Sequence, residues 1–220
     1  AAATQVLDRL GITALTAPGA GCCGAVSQHL SAPEDALDFA RRNIDAWWPL
    51  VEDGAETLVM TASGCGAMVR DYGHLLRNDP VYAPKAARIS AITRDIAEVV
   101  AAEDISALRP AANAPRRIAF QSPCTLQHGQ QLGGVVEGLL DRLGFELTPV
   151  ADAHLCCGSA GTYSIVQPQL SERLRANKLA ALQAGEPALI ATANIGCLHH
   201  LQSATALQVR HWIELLVEHP

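Results

Sequence analysis

The chain contains one cysteine pattern twice, at a nearly constant distance along its 220 residues. The triplet Cys-Cys-Gly and a later Gly-Cys pair occur at residues 22–24 and 64–65, and again at 156–158 and 196–197. The segment Leu-Asp-Arg-Leu-Gly repeats in almost the same register, at residues 7–11 and 140–144. Internal repetition at a fixed period predicts two copies of one structural unit. We therefore expect two related cysteine sites on two related scaffolds.

Apolar residues in the second copy alternate between β-like runs and helical spacing. In chain order they predict a strand, a helix, a strand, a helix and a strand, at residues 117–121, 135–143, 145–150, 167–183 and 188–193. Gly144 is expected to end the first of these helices. Strands that alternate with helices are typical of α/β proteins. The pattern predicts an α/β fold of two tandem Rossmann-like β-α-β-α-β units with mostly parallel sheets.

The first copy predicts the same order of elements without the opening strand. Its pattern indicates a helix up to Leu10, a strand at 12–16, a helix at 33–51 and a strand at 57–62. The counterpart of Cys124 would fall before Ala1. We therefore expect that this chain is cut from a longer polypeptide.

The repeat divides the chain into a first unit, a connector and a second unit, predicted at residues 1–78, 79–115 and 116–220. The connector carries several prolines around a predicted helix at 92–102, which is typical of a surface segment. Apolar residues near the carboxyl terminus follow the spacing i, i+3, i+4, i+7, i+8. This spacing predicts an amphipathic closing helix at 209–218.

Composition and charge exclude several classes of protein. A hydrophobic content of 49% is enough for a buried core, and the net charge of -6 argues against a nucleic-acid partner. No segment approaches the roughly 18 apolar residues of a membrane span, and the amino terminus shows no secretion signal. We expect a cytoplasmic protein, with peripheral association with the inner membrane possible through partners.

Seven cysteines in a chain that shows no secretion signal are typical of metal or redox thiols rather than of a disulfide framework. Cys22 is adjacent to Cys23, and Cys156 is adjacent to Cys157. Neighbouring Cα atoms lie about 3.8 Å apart, which is below the usual separation across a disulfide. A disulfide within either pair would be strained.

The candidate metal ligands in the second copy are Cys124, Cys156, Cys157, Cys197 and His200. The cysteines follow predicted strands, and the carboxyl ends of parallel strands meet at one edge of a sheet. Thiolates bind borderline metals and iron-sulfur clusters, and adjacent thiolates suit different metal atoms of one cluster. We therefore favour an iron-sulfur cluster over zinc. Two alternatives stay open: the cysteines pack as small apolar side chains, and His200 caps a helix or faces water.

The first copy offers the candidate cofactor ligands Cys22, Cys23 and Cys65. Met68 stands where the second copy has His200. Three thiolates without a fourth ligand are compatible with a labile cluster or with no metal. The sequence predicts a weaker site here than in the second copy.

With these motifs in place, the chain resembles the cysteine-rich (CCG) domain family found in heterodisulfide reductase subunits. It also resembles the iron-sulfur subunits of glycolate oxidases, over nearly all of its length. The segments that carry this second resemblance are Thr-Ala-Ser-Gly-Cys-Gly at 61–66, Pro-Cys-Thr-Leu-Gln-His-Gly at 123–129, Leu-Cys-Cys-Gly-Ser-Ala-Gly-Thr-Tyr at 155–163, Ala-Asn-Ile-Gly-Cys at 193–197 and Val-Arg-His-Trp-Ile-Glu-Leu at 209–215.

The resemblance implies an electron-transfer subunit with an iron-sulfur cluster, of the 4Fe-4S type. Its implied partners are flavin-containing glycolate dehydrogenase subunits that oxidise glycolate to glyoxylate and send electrons towards quinone. The chain lacks the amino-terminal ferredoxin-like cysteine runs of the whole subunit. It also departs from the heterodisulfide reductase pattern, because Met68 and His200 stand where a second cysteine would close each Cys-x-x-Cys.

Three other interpretations compete with this one. The cysteines could hold zinc in a docking module of such a complex, or the chain could be the equivalent subunit of a lactate or glycerol 3-phosphate dehydrogenase. Adjacent cysteines could also act as nucleophiles of a dithiol reductase, with His154 as the nearby base. Metal analysis distinguishes the zinc module and the dithiol reductase from an iron-sulfur protein.

Overall fold

A computed structural model describes residues 2–217 of the chain. It contains two compact units. Leu15–Ile96 form the three-cysteine unit, and Ala1–Ala14 together with Ala97–Pro220 form the four-cysteine unit. This grouping follows spatial contacts, whereas the boundaries at residues 78 and 116 follow the sequence repeat and stay a prediction.

Helix α1 (Ala2–Arg9) belongs to the four-cysteine unit. The elements that follow in the three-cysteine unit are α2 (Ala25–His29), α3 (Pro33–Glu52), β1 (Leu58–Met60), α4 (Ser63–Arg70), α5 (Tyr72–Leu75), α6 (Ala83–Ile92) and β2 (Thr93–Asp95). Strands β1 and β2 pair in parallel, with Leu58 opposite Thr93.

Helix α3 supplies the central face of the three-cysteine unit. Proline at its first position and the acids Glu34 and Asp35 in its first turn favour a helix start there. Ala36, Ala40 and Ile44 are fully buried at intervals of four residues, as expected for one face of a helix. They pack in one cluster with buried side chains of α4 to α6, and that cluster includes Cys23.

The four-cysteine unit continues with α7 (Ile96–Ala102), whose first residue groups with the other unit. The later elements are a 3-10 turn (Ile105–Ala107), β3 (Arg117–Gln121), a π-helical turn (Thr125–Gly129), α8 (Val135–Arg142), β4 (Glu146–Leu147), α9 (Tyr163–Val166), α10 (Pro168–Gln183), β5 (Leu189–Thr192), α11 (Ile195–Gln202), β6 (Val209–His211) and a second 3-10 turn (Trp212–Leu216). Among the described helices, none is both long and apolar enough to cross a membrane.

A four-stranded sheet of order β4-β3-β5-β6 forms the centre of the four-cysteine unit, and every pairing is parallel. Its central strands β3 and β5 are almost completely buried. Strands buried on both faces carry continuous apolar runs rather than alternating ones. The run from Leu189 to Ala191 is of this kind, and this confirms the predicted α/β class.

The predicted helices and strands of the second copy are largely confirmed. Strand β3 has the predicted bounds, and α8 ends where Gly144 adopts a φ of 85°. Strand β4 is shorter than predicted: of the predicted residues 145–150, only 146–147 form a strand.

The predicted closing helix at 209–218 is wrong. Residues 209–211 instead pair with β5 as strand β6, and a 3-10 turn follows at 212–216. The His211 side chain accepts a hydrogen bond from the Ile213 N–H, so it caps that turn. The apolar spacing reflects burial of Trp212 and Ile213, which a helix and a strand followed by a 3-10 turn both allow. Residue 218 lies outside the described residues.

Two further predictions near unit boundaries are also wrong. Residues 12–16 do not form a strand: α1 ends at Arg9, the turn after it contains Gly11 with a φ of 76°, and Leu15 is 62% exposed. The predicted helix at 92–102 begins only at Ile96, because residues 93–95 pair with β1 as β2. In both cases the presence or absence of a neighbouring strand overrides the local apolar pattern.

Candidate metal centre

The four cysteines of the four-cysteine unit come from three loops that follow three neighbouring strands. Cys124 lies just beyond β3, at the start of the π-helical turn. Cys156 and Cys157 lie in the loop between β4 and α9, and Cys197 lies in the first turn of α11, just beyond β5. The carboxyl ends of parallel strands meet at one edge of a sheet, which explains how distant cysteines converge.

The four thiols form a line of hydrogen-bonded neighbours. The Cys124 thiol contacts Cys156, Cys156 contacts Cys157, and Cys157 contacts Cys197. Cys157 and Cys197 are buried in an apolar cluster with Leu179, Leu182 and Ile190, while Cys124 and Cys156 are partly accessible. The structure therefore brings the sulfur ligands predicted for the second copy into one place.

Contacts between the sulfurs shift their pKa values in opposite directions. The hydrogen bond from Cys124 lowers the pKa of Cys156, and the hydrogen bond from Cys157 lowers the pKa of Cys197. The contact with Cys156, followed by burial, raises the pKa of Cys124, and contacts with Cys156 and then Cys197, followed by burial, raise the pKa of Cys157. A thiolate is the metal-binding form of cysteine, and the lowered pKa values of Cys156 and Cys197 favour that form.

Nitrogen donors face two of the sulfurs. The Gly158 N–H donates to Cys156 Sγ over 3.3 Å, and the Asn194 side-chain amide donates to Cys197 Sγ over 3.6 Å. Hydrogen bonds to ligating sulfurs fix their orientation and tune the potential of iron-sulfur centres. The donor set is thus chemically suited to such a centre.

Gly158 is required by both backbone geometry and space. Its φ is 93°, and a Cβ at this position would lie 2.5 Å from the Ser171 carbonyl oxygen on α10. In the three-cysteine unit, Gly24 has a φ of 83°, and its Cβ would lie 3.0 Å from the Ala36 carbonyl oxygen on α3. The glycine of each Cys-Cys-Gly triplet therefore lets the loop lie directly against the following helix.

His200 lies beside the loop of the adjacent cysteines. Its Nε2 is 3.3 Å from the Ser171 hydroxyl, which itself donates to the Gly158 carbonyl over 2.7 Å. Burial, followed by the charge of Arg175, lowers the pKa of His200, which favours the neutral ring. The structure places this ring in contact with the helix that supports the loop, and its ligation of a metal stays a prediction.

The three-cysteine unit repeats part of this arrangement. The Cys65 thiol, in the first turn of α4 after β1, hydrogen-bonds to Cys23, which also contacts Cys22. The hydrogen bond from Cys65 lowers the pKa of Cys23 to about 6, and burial opposes it. The Gly24 N–H donates to Cys22 Sγ over 3.5 Å, as Gly158 does to Cys156. Three predicted ligands are together here, with Cys22 exposed.

Within residues 2–217, no three His, Cys, Asp or Glu side chains are arranged to hold a single metal ion. The thiols of the four-cysteine unit lie in a line instead. An iron-sulfur cluster distributes its thiolate ligands over several iron atoms. Four cysteines on three loops supply the number and kind of ligand that such a cluster uses.

Two buried polar side chains near the sites were missed in the sequence analysis. Asn43 on α3 contacts the loop before Cys22 and Cys23, and Lys178 on α10 contacts the loop before Cys156 and Cys157. Each lies on the inward face of a helix whose other inward residues are mostly small or apolar. A polar residue at a similar distance after each Cys-Cys-Gly triplet is the sequence signal that could have identified Asn43 and Lys178.

Comparison with known proteins agrees with this duplicated arrangement. The family model of the cysteine-rich domain (CCG) matches residues 1–70 and 118–202, two stretches that together contain every cysteine of the chain. The fold and sites define a duplicated α/β protein with a thiol cluster in each unit. The chain belongs to the cysteine-rich (CCG) domain family.

The chain is similar to glycolate oxidase iron-sulfur subunits and to lactate utilization proteins. The glycolate oxidase iron-sulfur subunit of Escherichia coli (strain K12) is 54% identical over 216 residues, which are 98% of this chain and 53% of that protein. A probable glycolate oxidase iron-sulfur subunit of Bacillus subtilis (strain 168) is 32% identical over 90% of this chain and 44% of that protein. Lactate utilization protein A of Bacillus velezensis is 30% identical over 91% of this chain and 82% of that protein. The chain spans about half the length of the two glycolate oxidase subunits.

Proposed function

We propose that this chain is an iron-sulfur electron-transfer subunit of a flavin-linked enzyme that oxidises glycolate to glyoxylate. The observation that carries the proposal is the convergence of four cysteines from three loops that follow neighbouring strands of the parallel sheet. Cys124, Cys156, Cys157 and Cys197 would hold the cluster, of the 4Fe-4S type, and His200 is a candidate additional ligand. A bound cluster would accept and release one electron at a time.

The protein contributes ligands, charge and exclusion of water to this centre. Cys156 and Cys197 have lowered pKa values, and the Gly158 N–H stabilises negative charge on Cys156. Burial of Cys157 and Cys197 in an apolar cluster limits hydrolysis of metal-thiolate bonds at the inner end of the line. Cys124 and Cys156 are partly accessible, which gives electrons a short route from the surface.

The choice of glycolate is supported by the names of two relatives, one of which shares 54% identity. Oxidation of glycolate needs a hydride acceptor, which a flavin-containing partner subunit would supply. Electrons would pass from that flavin through this chain towards a membrane quinone. On this proposal the chain acts in the cytoplasm, associated with the inner membrane through its partners.

Cys22, Cys23 and Cys65 are proposed as a second, incomplete ligand set. Their contacts repeat one half of the line in the four-cysteine unit. A three-thiolate set leaves one iron of a cubane without a cysteine ligand. We expect any metal here to be held more weakly than in the other unit.

Metal content tests the proposal directly. Anaerobically reconstituted chain should contain about four irons with matching sulfide, and its visible absorbance should bleach with dithionite. Zinc near one equivalent without iron would instead support the structural docking module. Iron-free protein with a colourless spectrum after reconstitution would contradict the proposal.

The similarity to lactate utilization protein A favours a second candidate substrate, lactate. Glycolate and lactate are both 2-hydroxy acids, so the same oxidation of the 2-hydroxyl group would supply the electrons. Purification of the native complex from cells followed by dye reduction with each acid separates the two. Faster reduction with lactate than with glycolate would replace the glycolate assignment and leave the electron-transfer role intact.

A further inference from the structure

One helix covers the cysteine loop in each unit. Each of these helices carries a buried polar residue seven positions after the residue that contacts the loop glycine. In the three-cysteine unit, Gly24 packs against Ala36 and the polar residue is Asn43. In the four-cysteine unit, Gly158 packs against Ser171 and the polar residue is Lys178. Residues seven apart lie on the same face of a helix, so Asn43 and Lys178 are structural counterparts.

Asn43 is neutral and fully satisfied. Its side-chain oxygen accepts from the Gly21 N–H over 2.8 Å. Its side-chain nitrogen donates to the Cys22 carbonyl over 2.8 Å and to the Tyr72 hydroxyl over 3.1 Å. Asn43 therefore fixes the loop before the adjacent cysteines without adding charge.

Lys178 fixes the corresponding loop and adds a positive charge. Its ammonium group donates to the carbonyl oxygens of Asp152 over 3.0 Å and Ala153 over 3.2 Å. The residue is only 3% exposed, so its charge is poorly screened by water. Burial lowers the pKa of Lys178, and the nearby sulfurs of Cys157, Cys156 and Cys197, together with the Asp152 carboxylate, oppose that shift.

A buried ammonium is costly unless negative charge lies nearby. Both hydrogen-bond acceptors of Lys178 are neutral carbonyls, so they accept from two of its three protons but do not cancel its charge. The Ala153 carbonyl that Lys178 binds lies three residues before Cys156, so the sulfurs of the adjacent cysteines are negative groups near this buried charge. A neutral side chain in the same place, as Asn43 shows, is sufficient to hold a loop of this kind.

We propose that Lys178 is a positioning residue whose buried charge raises the reduction potential of the iron-sulfur centre in the four-cysteine unit. This inference rests on the proposed function. One-electron reduction adds one negative charge to the centre and its thiolates, and the positive charge of Lys178 would stabilise the reduced form. Asn43 offers no such stabilisation in the three-cysteine unit.

The test compares midpoint potentials of the anaerobically reconstituted chain and its variants, from dithionite titrations followed by visible absorbance and electron paramagnetic resonance. Lys178→Gln removes the charge and keeps a donor for the loop, while Lys178→Met removes both. Lys178→Arg keeps the charge. Arg173→Gln is the matched control, because it removes one positive charge from an exposed position on the same helix.

We expect both neutral variants to reduce the equilibrium constant for reduction about tenfold, which is a midpoint about 59 mV more negative. Lys178→Arg should stay near the unmodified chain, and Arg173→Gln should shift the midpoint only slightly because water screens its charge. A purely structural role in holding the loop would shift the midpoint in Lys178→Met but not in Lys178→Gln, whereas loss of the charge shifts both variants equally.

Three outcomes overturn the inference. The first is a full complement of cluster in Lys178→Gln and Lys178→Met with unchanged midpoints. The second is an equal shift in Arg173→Gln, which would show that total charge is responsible. The third is loss of the cluster from both neutral variants, which would make Lys178 a requirement for binding. Failure of the unmodified chain to bind a cluster would contradict the proposed function itself and is recognised before any variant is made.

Discussion

The two cysteine sites share a scaffold and differ in their chemical groups. In both, a Cys-Cys-Gly loop lies against the following helix, and the glycine N–H donates to the first sulfur. The four-cysteine unit adds Cys124 and the buried charge of Lys178, while the three-cysteine unit has the neutral Asn43. The backbone arrangement alone therefore does not decide what each site binds. We expect the additional thiol and the buried cation to decide it.

The largest expected difference concerns metal retention. Cys197→Ser removes the inner end of the four-thiol line and should abolish a stable cluster, because serine replaces a soft ligand with a hard one. Its counterpart in the repeat, Cys65→Ser, should leave most of the iron in place. Iron and sulfide analysis after anaerobic reconstitution measures both.

Equal iron loss in the two variants would contradict this division between the sites. Full iron retention in Cys197→Ser would remove that residue from the ligand set. The Cys197→Ser protein should remain folded, which circular dichroism can check. A folded, iron-free variant separates loss of a ligand from loss of structure.

A smaller difference should appear in the free energy of unfolding when the loop glycines are replaced. Gly158→Ala should destabilise its unit by about 3 kcal/mol, because its Cβ would lie 2.5 Å from a helix carbonyl oxygen in addition to the positive φ. Gly24→Ala should cost about 2 kcal/mol, since its nearest contact is 3.0 Å. Urea denaturation of the metal-free chain gives both values.

Matched controls isolate the steric part of this effect. Gly144 and Gly54 also have positive φ values, but a Cβ at either position would meet nothing within 4 Å. Gly144→Ala and Gly54→Ala should each cost only about 1 kcal/mol. If Gly158→Ala were no worse than Gly144→Ala, close packing of the loop on α10 would not be needed.

The smallest difference should arise from single hydroxyl groups beneath the loops. The Tyr72 hydroxyl donates to the Cys23 carbonyl over 2.9 Å and accepts from Asn43, so Tyr72→Phe leaves two buried groups unpaired and should cost about 2 kcal/mol. Ser171→Ala removes the donor to the Gly158 carbonyl and should cost about 1 kcal/mol. Chemical denaturation measures each change.

Residues of the same types whose hydroxyl groups bond at the surface serve as controls for these two variants. Tyr82 hydrogen-bonds to Asp45 at the surface, and Ser203 hydrogen-bonds to the His200 carbonyl at the surface. Tyr82→Phe and Ser203→Ala should each change the free energy of unfolding by less than about 0.5 kcal/mol. A larger cost for Ser171→Ala than for Tyr72→Phe would reverse the predicted order.

The sequence was sufficient to predict the duplicated cysteines and the α/β class, because both leave direct marks in spacing and in apolar runs. The convergence of Cys124 with Cys156 followed from a general rule about parallel strands. Residues 209–216 could not be assigned correctly, since pairing of Val209 with β5 depends on a neighbour distant in sequence. Lys178 was missed for a similar reason: its role depends on which loop its helix covers, and on burial that an isolated lysine does not signal.

The most direct test of the whole account is an iron anomalous diffraction map from crystals of the anaerobically reconstituted chain. The account predicts a strong iron peak in contact with the sulfurs of Cys124, Cys156, Cys157 and Cys197, and a weaker peak or none beside Cys22, Cys23 and Cys65. An iron peak bound only by the three-cysteine unit, or four thiols in the other unit with no iron between them, would contradict it.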